Sequence, residues 1–387
     1  MRDAVIVDAV RTPIGRRNGS LREVHPVDLS AHVLNALAER TGIDPAVVDD
    51  VIWGCVSQTG EQALNVGRNA VLAAGWPEEV PGTTIDRQCG SSQQAAHFAA
   101  AGVAAGHYDV AVAGGVESMT RVPMLVTVTN GPGVPFGPRM RERYDDGLVP
   151  QGLSAEMIAK RWGITREDAD RISLASHERS AAAIDDGRFK GQVAPIAVPD
   201  DAGGSRLFDA DEGVRRSTSM TALGGLKPAF AADGIVTAGN SSQISDGASA
   251  LLITTSDKAR ELGRTPLARF RSFALAGVDP VTMLTGPIPA TRKALDRAGL
   301  GVDDIGVFEV NEAFATVIAA WLAEIGADFD KVNPNGGAIA VGHPLGASGA
   351  ILMTRLVHHM VDNGLRFGLQ AICEGGGTAN ATILELL

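Results

Sequence analysis

Large aromatic rings are scarce in this chain: Phe, Trp and Tyr together make up 4% of its 387 residues. Without many rings, the core has to be built from small aliphatic side chains and close backbone approach, which suits packed helices and buried strands. Cysteine is nearly absent, with Cys55, Cys89 and Cys373 alone and no Cys-x-x-Cys pair, which excludes a zinc ribbon or a thioredoxin-like motif. Widely spaced cysteines in such a chain are either buried fillers or reactive thiols. A basic surplus is missing too. The net charge of −11 disfavours a nucleic-acid partner, which needs a concentrated basic face. No apolar run is long and clean enough for membrane insertion; Phe314–Ala327 is interrupted by Glu324. The first residues carry acids where a signal peptide has an apolar stretch, and Ile383–Leu387 reads as no retention address, so a cytoplasmic protein is expected.

What is present is glycine, at 46 residues, against 45% hydrophobic and 20% charged residues, a globular composition. Short β-branched runs alternate with Ala-rich helical patterns, the signature of β-α-β units with a parallel sheet, and the class is α/β. Strands are expected at Ala4–Val10, Val51–Val56, Thr83–Asp86 and Val110–Ala113, with helices at Leu29–Arg40, Val66–Ala74 and Ser91–Gly106. The last third repeats this plan. Its expected strands are Ala268–Ala276, Ile305–Val310, Lys331–Val332, Leu369–Ile372 and Ala381–Glu385; its helices are Pro289–Ala298, Ala315–Ile325 and Ser348–Asn363. The two ends therefore read as copies of one topology. Residues 1–119 with 248–265 form the first half, and 266–387 form the second. Residues 120–247 read as a long insertion. It has Pro and Gly at Gly131–Pro138, charges at Arg139, Arg141, Arg143, Asp145 and Asp146, and a polar helix from Thr165 to Asp186. The strand Ala250–Thr254 returns from it.

Four segments carry candidate chemistry. Cys89, in Asp86-Arg87-Gln88-Cys89-Gly90-Ser91-Ser92, lies at a strand-to-helix turn, where free N–H groups and the helix dipole lower a thiol pKa. The same pattern also suits a small buried residue closing a tight turn. His343, held between Gly342 and Pro344 among small residues, is placed to act as base to a thiol. Cys373 ends a strand and is followed by Glu374 and three glycines, whose N–H groups can face a developing oxyanion; an inert strand-ending cysteine fits equally. Asn311 ends another strand in Glu309-Val310-Asn311-Glu312-Ala313-Phe314-Ala315, and as a lone residue reads as a helix cap. Together these residues sit at carboxyl ends of expected strands, where ligands bind in open α/β sheets.

These motifs resemble the thiolase family along essentially the whole chain. Asn-Glu-Ala-Phe-Ala at 311–315, Gly-His-Pro-Leu-Gly-Ala-Ser-Gly-Ala at 342–350 and Cys-Glu-Gly-Gly-Gly at 373–377 look like its C-terminal motifs. Val-Asp-Ala-Val-Arg-Thr-Pro-Ile-Gly at 7–15 and Thr-Ala-Gly-Asn-Ser-Ser-Gln-Ile-Ser-Asp-Gly-Ala at 237–248 are similar to two further family segments. The resemblance implies a five-layer α-β-α-β-α fold of two similar halves with an inserted loop domain. It implies an acyltransferase with Cys89 as nucleophile, His343 as its base and Cys373 as proton shuttle. Asn311 (through a water) and His343 would form one oxyanion hole, and the N–H groups of Cys89 and Gly375 the other. Arg215 would lie beside the adenine of coenzyme A, with Phe230, Ser242 and Phe314 along the pantetheine. Coenzyme A would be a co-substrate alongside acyl-CoA, with no permanent cofactor or metal, and the assembly a homodimer or homotetramer.

The chain departs from the family pattern at Gly90 and Ser92, at Gln243 and Ser245, at Pro150-Gln151, and after Cys373. Its Gln-Cys-Gly-Ser-Ser-Gln-Gln and Ser-Ser-Gln-Ile-Ser-Asp-Gly stretches resemble actinobacterial thiolases linked to steroid side chains. The implied reaction is thiolysis of a 3-ketoacyl-CoA. The alternatives are an acetoacetyl-CoA-forming biosynthetic thiolase, a ketosynthase-type condensing enzyme and a non-catalytic acyl-CoA- or lipid-binding relative. A ketosynthase pairs its cysteine with two histidines or with His and Asn, so Cys373 argues against it.

Overall fold

A computed structural model describes residues 2–144, 147–200 and 203–387. Asp145 and Asp146 of the expected charge cluster lie outside the described residues. The strands are β1 (Val5–Arg11), β2 (Gly15–Arg16), β3 (Asp50–Gly54), β4 (Gly82–Ile85), β5 (Val110–Ser118), β6 (Ile196–Pro199), β7 (Ser205–Phe208), β8 (Ser245–Thr254), β9 (Ala268–Gly277), β10 (Val307–Val310), β11 (Phe367–Glu374) and β12 (Thr378–Leu386). Hydrogen bonds link ten of them in the order β10-β11-β12-β9-β1-β8-β5-β3-β4, with β2 on β8, while β6 and β7 form a separate hairpin. Within the sheet the two halves are joined where β1 pairs with β9, at Val5–Arg269 and Ile6–Ala268. Either side of that seam the order corresponds: β4-β3-β5-β8-β1 is matched by β10-β11-β12-β9, with Val332 bridging Phe308 at the position of β4.

The sheet is mixed, not parallel as the alternation of elements suggests. Only β3–β4, β3–β5 and β10–β11 run parallel. β8 lies antiparallel between β1 and β5 after the long insertion, and β11 turns straight back into β12 through Gly375–Gly377. A turn that short can join only antiparallel neighbours. The expected strand Lys331–Val332 is reduced to that one bridge, because Phe329–Lys331 winds as a single 3-10 turn started by the Asp328 side chain.

Helices Ser91–Ala105 and Leu345–Asn363 fill the space between the halves, giving the five-layer α-β-α-β-α arrangement. Their shared core is Ala95, Ala96, Ala99, Ala100, Ala111, Ala113 and Ala350 with Val, Leu and Met, and none of its fully buried members is aromatic. Small side chains let the two helices touch backbone to backbone. A Cβ on Gly349 would lie 2.2 Å from the Gln93 nitrogen. The few large rings serve the outer layers instead. Trp53 packs under Pro26–Thr41 and donates to Ser30 Oγ at 3.2 Å, and Trp321 in Ala315–Ile325 donates to Thr291 Oγ1 at 3.0 Å, so each buried indole N–H is satisfied.

Between β5 and β8, the described residues of 119–244 give the large sheet no strand. The polar helix of this stretch spans Arg166–Asp185, and Thr165 and Asp168 close a capping box at its start, at 3.1 and 3.0 Å. The 312–340 segment packs against it, and helix Gln151–Trp162 packs on Ala315–Ile325, with the Gln151 side chain reaching Cys89.

Candidate active site

The turn from β4 into Ser91–Ala105 sets Cys89. Gln88 adopts φ 49, a left-handed conformation that a non-Gly residue holds only when its surroundings fix it. Ser91 fixes it here, donating to the Gln88 carbonyl at 2.6 Å and accepting from the Arg87 N–H at 2.9 Å. The Cys89 side chain is buried, and three donors face its sulfur: its own N–H, the N–H of Gly375 and the Gln151 side chain. These N–H groups lower the thiol pKa as expected, yet they do not prevail. Burial, with the Glu374 charge added, pushes the thiol up to about 12, so the resting group is a thiol and ionisation needs a base.

His343 lies in a turn between the short helix Ala338–Val341 and Leu345–Asn363, not at a strand end. The long helix starts at Leu345, three residues before the expected Ser348, because Pro344 is pre-set to precede a first turn. Ser348 therefore falls within that first turn. Its hydroxyl donates to the Pro344 carbonyl at 2.8 Å, so its oxygen accepts from His343 Nδ1–H at 2.6 Å. That leaves Nε2 as the bare nitrogen, and the Asn311 amide donates to it at 3.4 Å. Burial holds the imidazole down to about 4, so it is neutral. Gly342 is required just before it: φ is 111, and a Cβ would meet Ser245 Oγ at 2.0 Å.

Cys373 is inside β11, paired with Ala379, and its thiol is buried among Phe314, Ala313, Met283 and Leu284. Burial raises its pKa well above the usual range, and the neighbouring Cys89 raises it further. Asn311 follows β10 directly and caps no helix; Phe314 flanks Ala315–Ile325 instead. A cavity of about 10 Å³ beside Asn311, Gly342 and Ser348 has room for about one water. Cys55, by contrast, is buried in the core cluster of the first half, where burial and then Glu117 raise its thiol pKa.

The residues expected along a bound coenzyme separate into two places. Phe230 is half-exposed, meets Phe314 edge-on at 6.0 Å, and packs against Gly152 one residue after Gln151. The Ser242 N–H donates to the Ala313 carbonyl at 2.9 Å, beside Phe314. Arg215 stands apart and exposed, in a surface cavity of about 260 Å³ bounded by Leu174, His177, Glu178, Ala181, Arg216 and Thr218.

Four contributors were given no role at the nucleophile or its base by the sequence reading. Gln151 is delivered by the insertion, Ser348 sets the histidine tautomer, and Glu374 lies against Gly90. The fourth, Glu117, ends β5 fully buried and accepts from the N–H groups of Val56, Ser57 and Gly346 and from Gln62 Nε2, at 2.8–3.1 Å. It ties β3 and β5 to the helix that follows His343. A buried acid at the end of an otherwise apolar strand, Val110–Val116, was the available signal. Glu117→Ala strands four donors and is expected to cost about 3 kcal/mol or more of stability, read as a lowered midpoint in denaturant or thermal unfolding. An unchanged midpoint would refute the tie.

The family model for the thiolase N-terminal domain matches residues 4–257, and that for the C-terminal domain matches 264–386. A steroid 3-ketoacyl-CoA thiolase of Mycobacterium tuberculosis is 50% identical over all of this chain and 95% of its own. A 3-ketoacyl-CoA thiolase of Photobacterium profundum is 46% identical over the full length of both. The crystal structure of a Bacillus anthracis acetyl-CoA acetyltransferase superposes with a TM-score of 0.92 at 39% identity, covering 100% of this chain and 99% of that one. With two domain models spanning nearly all of the sequence and the site set between the two halves, the chain belongs to the thiolase family.

Proposed function

We propose that this thiolase catalyses the reversible thiolysis of 3-ketoacyl-CoA to acetyl-CoA and a shortened acyl-CoA in fatty-acid or steroid side-chain β-oxidation. The observation that carries the reading is the convergence on the Cys89 sulfur of two backbone N–H groups, with Cys373 beside it and a neutral histidine whose unprotonated Nε2 accepts from the Asn311 amide. His343 Nε2 takes the Cys89 proton as the sulfur attacks the 3-keto carbon. The oxygen of the tetrahedral adduct is met by the N–H groups of Cys89 and Gly375. Cleavage of the C2–C3 bond leaves acyl-Cys89 and the enolate of acetyl-CoA, whose thioester oxygen faces Asn311 and His343. Cys373 protonates that enolate at carbon. It then takes the thiol proton of an incoming coenzyme A, whose sulfur attacks the thioester and frees Cys89.

The co-substrate would run past Phe314, Phe230 and Ser242, with Arg215 at the adenine end. Residues 120–247 would cover it as a loop domain, between halves formed by 1–119 with 248–265 and by 266–387. A cytoplasmic homodimer or homotetramer is the fitting state. The 50% identity to a steroid thiolase favours a bulky acyl chain over acetoacetyl-CoA, the substrate of the biosynthetic alternative.

The test is coenzyme-A-dependent loss of 3-ketoacyl-CoA absorbance across linear chains of increasing length and a steroid-side-chain substrate. Cleavage with a preference for long or bulky chains is expected. Coenzyme A binding without cleavage of any substrate would overturn the proposal in favour of a binding protein.

A further inference from the structure

Glu374 has no role in the reaction as described, yet it occupies a place that few carboxylates are allowed. It is the last residue of β11, its side chain is fully buried, and neither oxygen makes a hydrogen bond of ordinary geometry. Its Oε1 lies over Gly90, the residue after Cys89, so closely that a Cβ there would stand 1.9 Å from it. The carboxyl therefore fills the space that a Cβ at position 90 would take. The groups that face it are Thr378 across the strand pair, Arg87 and Asp86 in the turn before the nucleophile, and the two thiols.

We propose that Glu374 is a positioning residue that sets the pH range of the nucleophile: seated over Gly90, it holds a proton when Cys89 ionises, and when it loses that proton its charge suppresses the Cys89 thiolate. This rests on Cys89 being the nucleophile. The physical basis is a competition in a buried place. Burial penalises the carboxylate, Thr378 and Arg87 favour it without offsetting that penalty, and Asp86 opposes it, which leaves the group near 7. A carboxylate there raises the pKa of both neighbouring thiols, since a second negative charge in the same apolar volume is poorly screened. The two groups then titrate as a coupled pair. No oxidant or further reactant is involved; the balance is one proton held on oxygen or released to solvent.

The experiment is the rate of iodoacetamide alkylation at Cys89, read by peptide mass spectrometry, from about pH 6 to about pH 10 in the full-length enzyme and in Glu374→Gln. The glutamine keeps the shape and removes the charge. Its profile is expected to shift to lower pH by about one unit, so that Cys89 reacts roughly tenfold faster near neutrality, with the acid limb of kcat/KM for thiolysis moving the same way. A purely space-filling Glu374 would leave both profiles in place, and that result overturns the proposal. Seating over Gly90 is tested separately. Gly90→Ala should lower turnover sharply, because the new Cβ clashes with the carboxyl and shifts the backbone next to Cys89, and Gly90→Ala with Glu374→Ala, which removes the clash, should restore it in part; equal loss in both variants refutes the seating. Should Cys89 in the unmodified enzyme not be labelled ahead of Cys55 and Cys373, the nucleophile assignment falls. Should it be labelled first with a profile indifferent to Glu374→Gln, only the present inference falls.

Discussion

Cys89→Ala is expected to abolish thiolysis, by on the order of 10⁵-fold or more in kcat, while leaving the fold intact. The size follows from the mechanism: without sulfur there is no atom to carry the acyl group between substrate and coenzyme A, and the remaining groups only bind and polarise. The fold should survive because alanine removes one atom from a side chain whose donors, the N–H groups of Cys89 and Gly375, can turn to water. The check is turnover beside thermal unfolding. Ordinary activity would disprove the nucleophile assignment, and loss of activity with a collapsed midpoint would show that the sulfur holds structure. Cys55→Ala, in the core cluster of the first half, should retain turnover. The pair of variants thus separates a reactive thiol from a filler.

His343→Ala should lower kcat by about 10²–10⁴-fold, the usual range for loss of a general base. Here the upper part of the range is expected, because the thiol it serves is pushed up to about 12 and so forms almost no thiolate unaided. The sign of the pH dependence follows from that. In the wild type the base is free wherever His343 is neutral, which burial extends down to about 4, so histidine protonation should not limit the reaction near neutrality. In His343→Ala the remaining rate should rise with pH as hydroxide replaces the base. A variant rate independent of pH would argue that His343 acts only by shape. Ser348→Ala offers a gentler control. It removes the acceptor that holds Nδ1–H at 2.6 Å, frees the ring to change tautomer, and should cost less than loss of the imidazole itself.

Much of this was legible along the chain. The shortage of rings and wealth of glycine point to a close-packed interior, and the central helices meet with Gly349 against the Gln93 backbone. The polar helix of the insertion was marked to within one residue at each end, and Ala315–Ile325 by its apolar run between Phe314 and Gly326. Such signals are local, so periodicity and capping chemistry suffice to read them. Strand direction was not local. β8 reads like any other strand, yet it inserts between β1 and β5 in the reverse sense, a choice made by the pairing edges available once the insertion has been passed. Lys331–Val332 has strand-like composition, but the Asp328 side chain bends the chain there first.

The same division runs through the site. Residue order alone marks Cys89, Asn311, His343 and Cys373 in their motifs and the two related halves that present them. Their state is a matter of packing. It brings the Gly375 N–H and the Gln151 amide to the Cys89 sulfur, buries the thiol so that it rests protonated, and places Cys55 in a different core cluster. It also gives His343 its free nitrogen, through a hydroxyl that the sequence reading had placed at a helix start. The physical reason is that residue type fixes what a group can donate or accept, whereas burial and the neighbours supplied by distant segments fix its protonation and direction. Those depend on three-dimensional packing, which no short stretch of sequence carries.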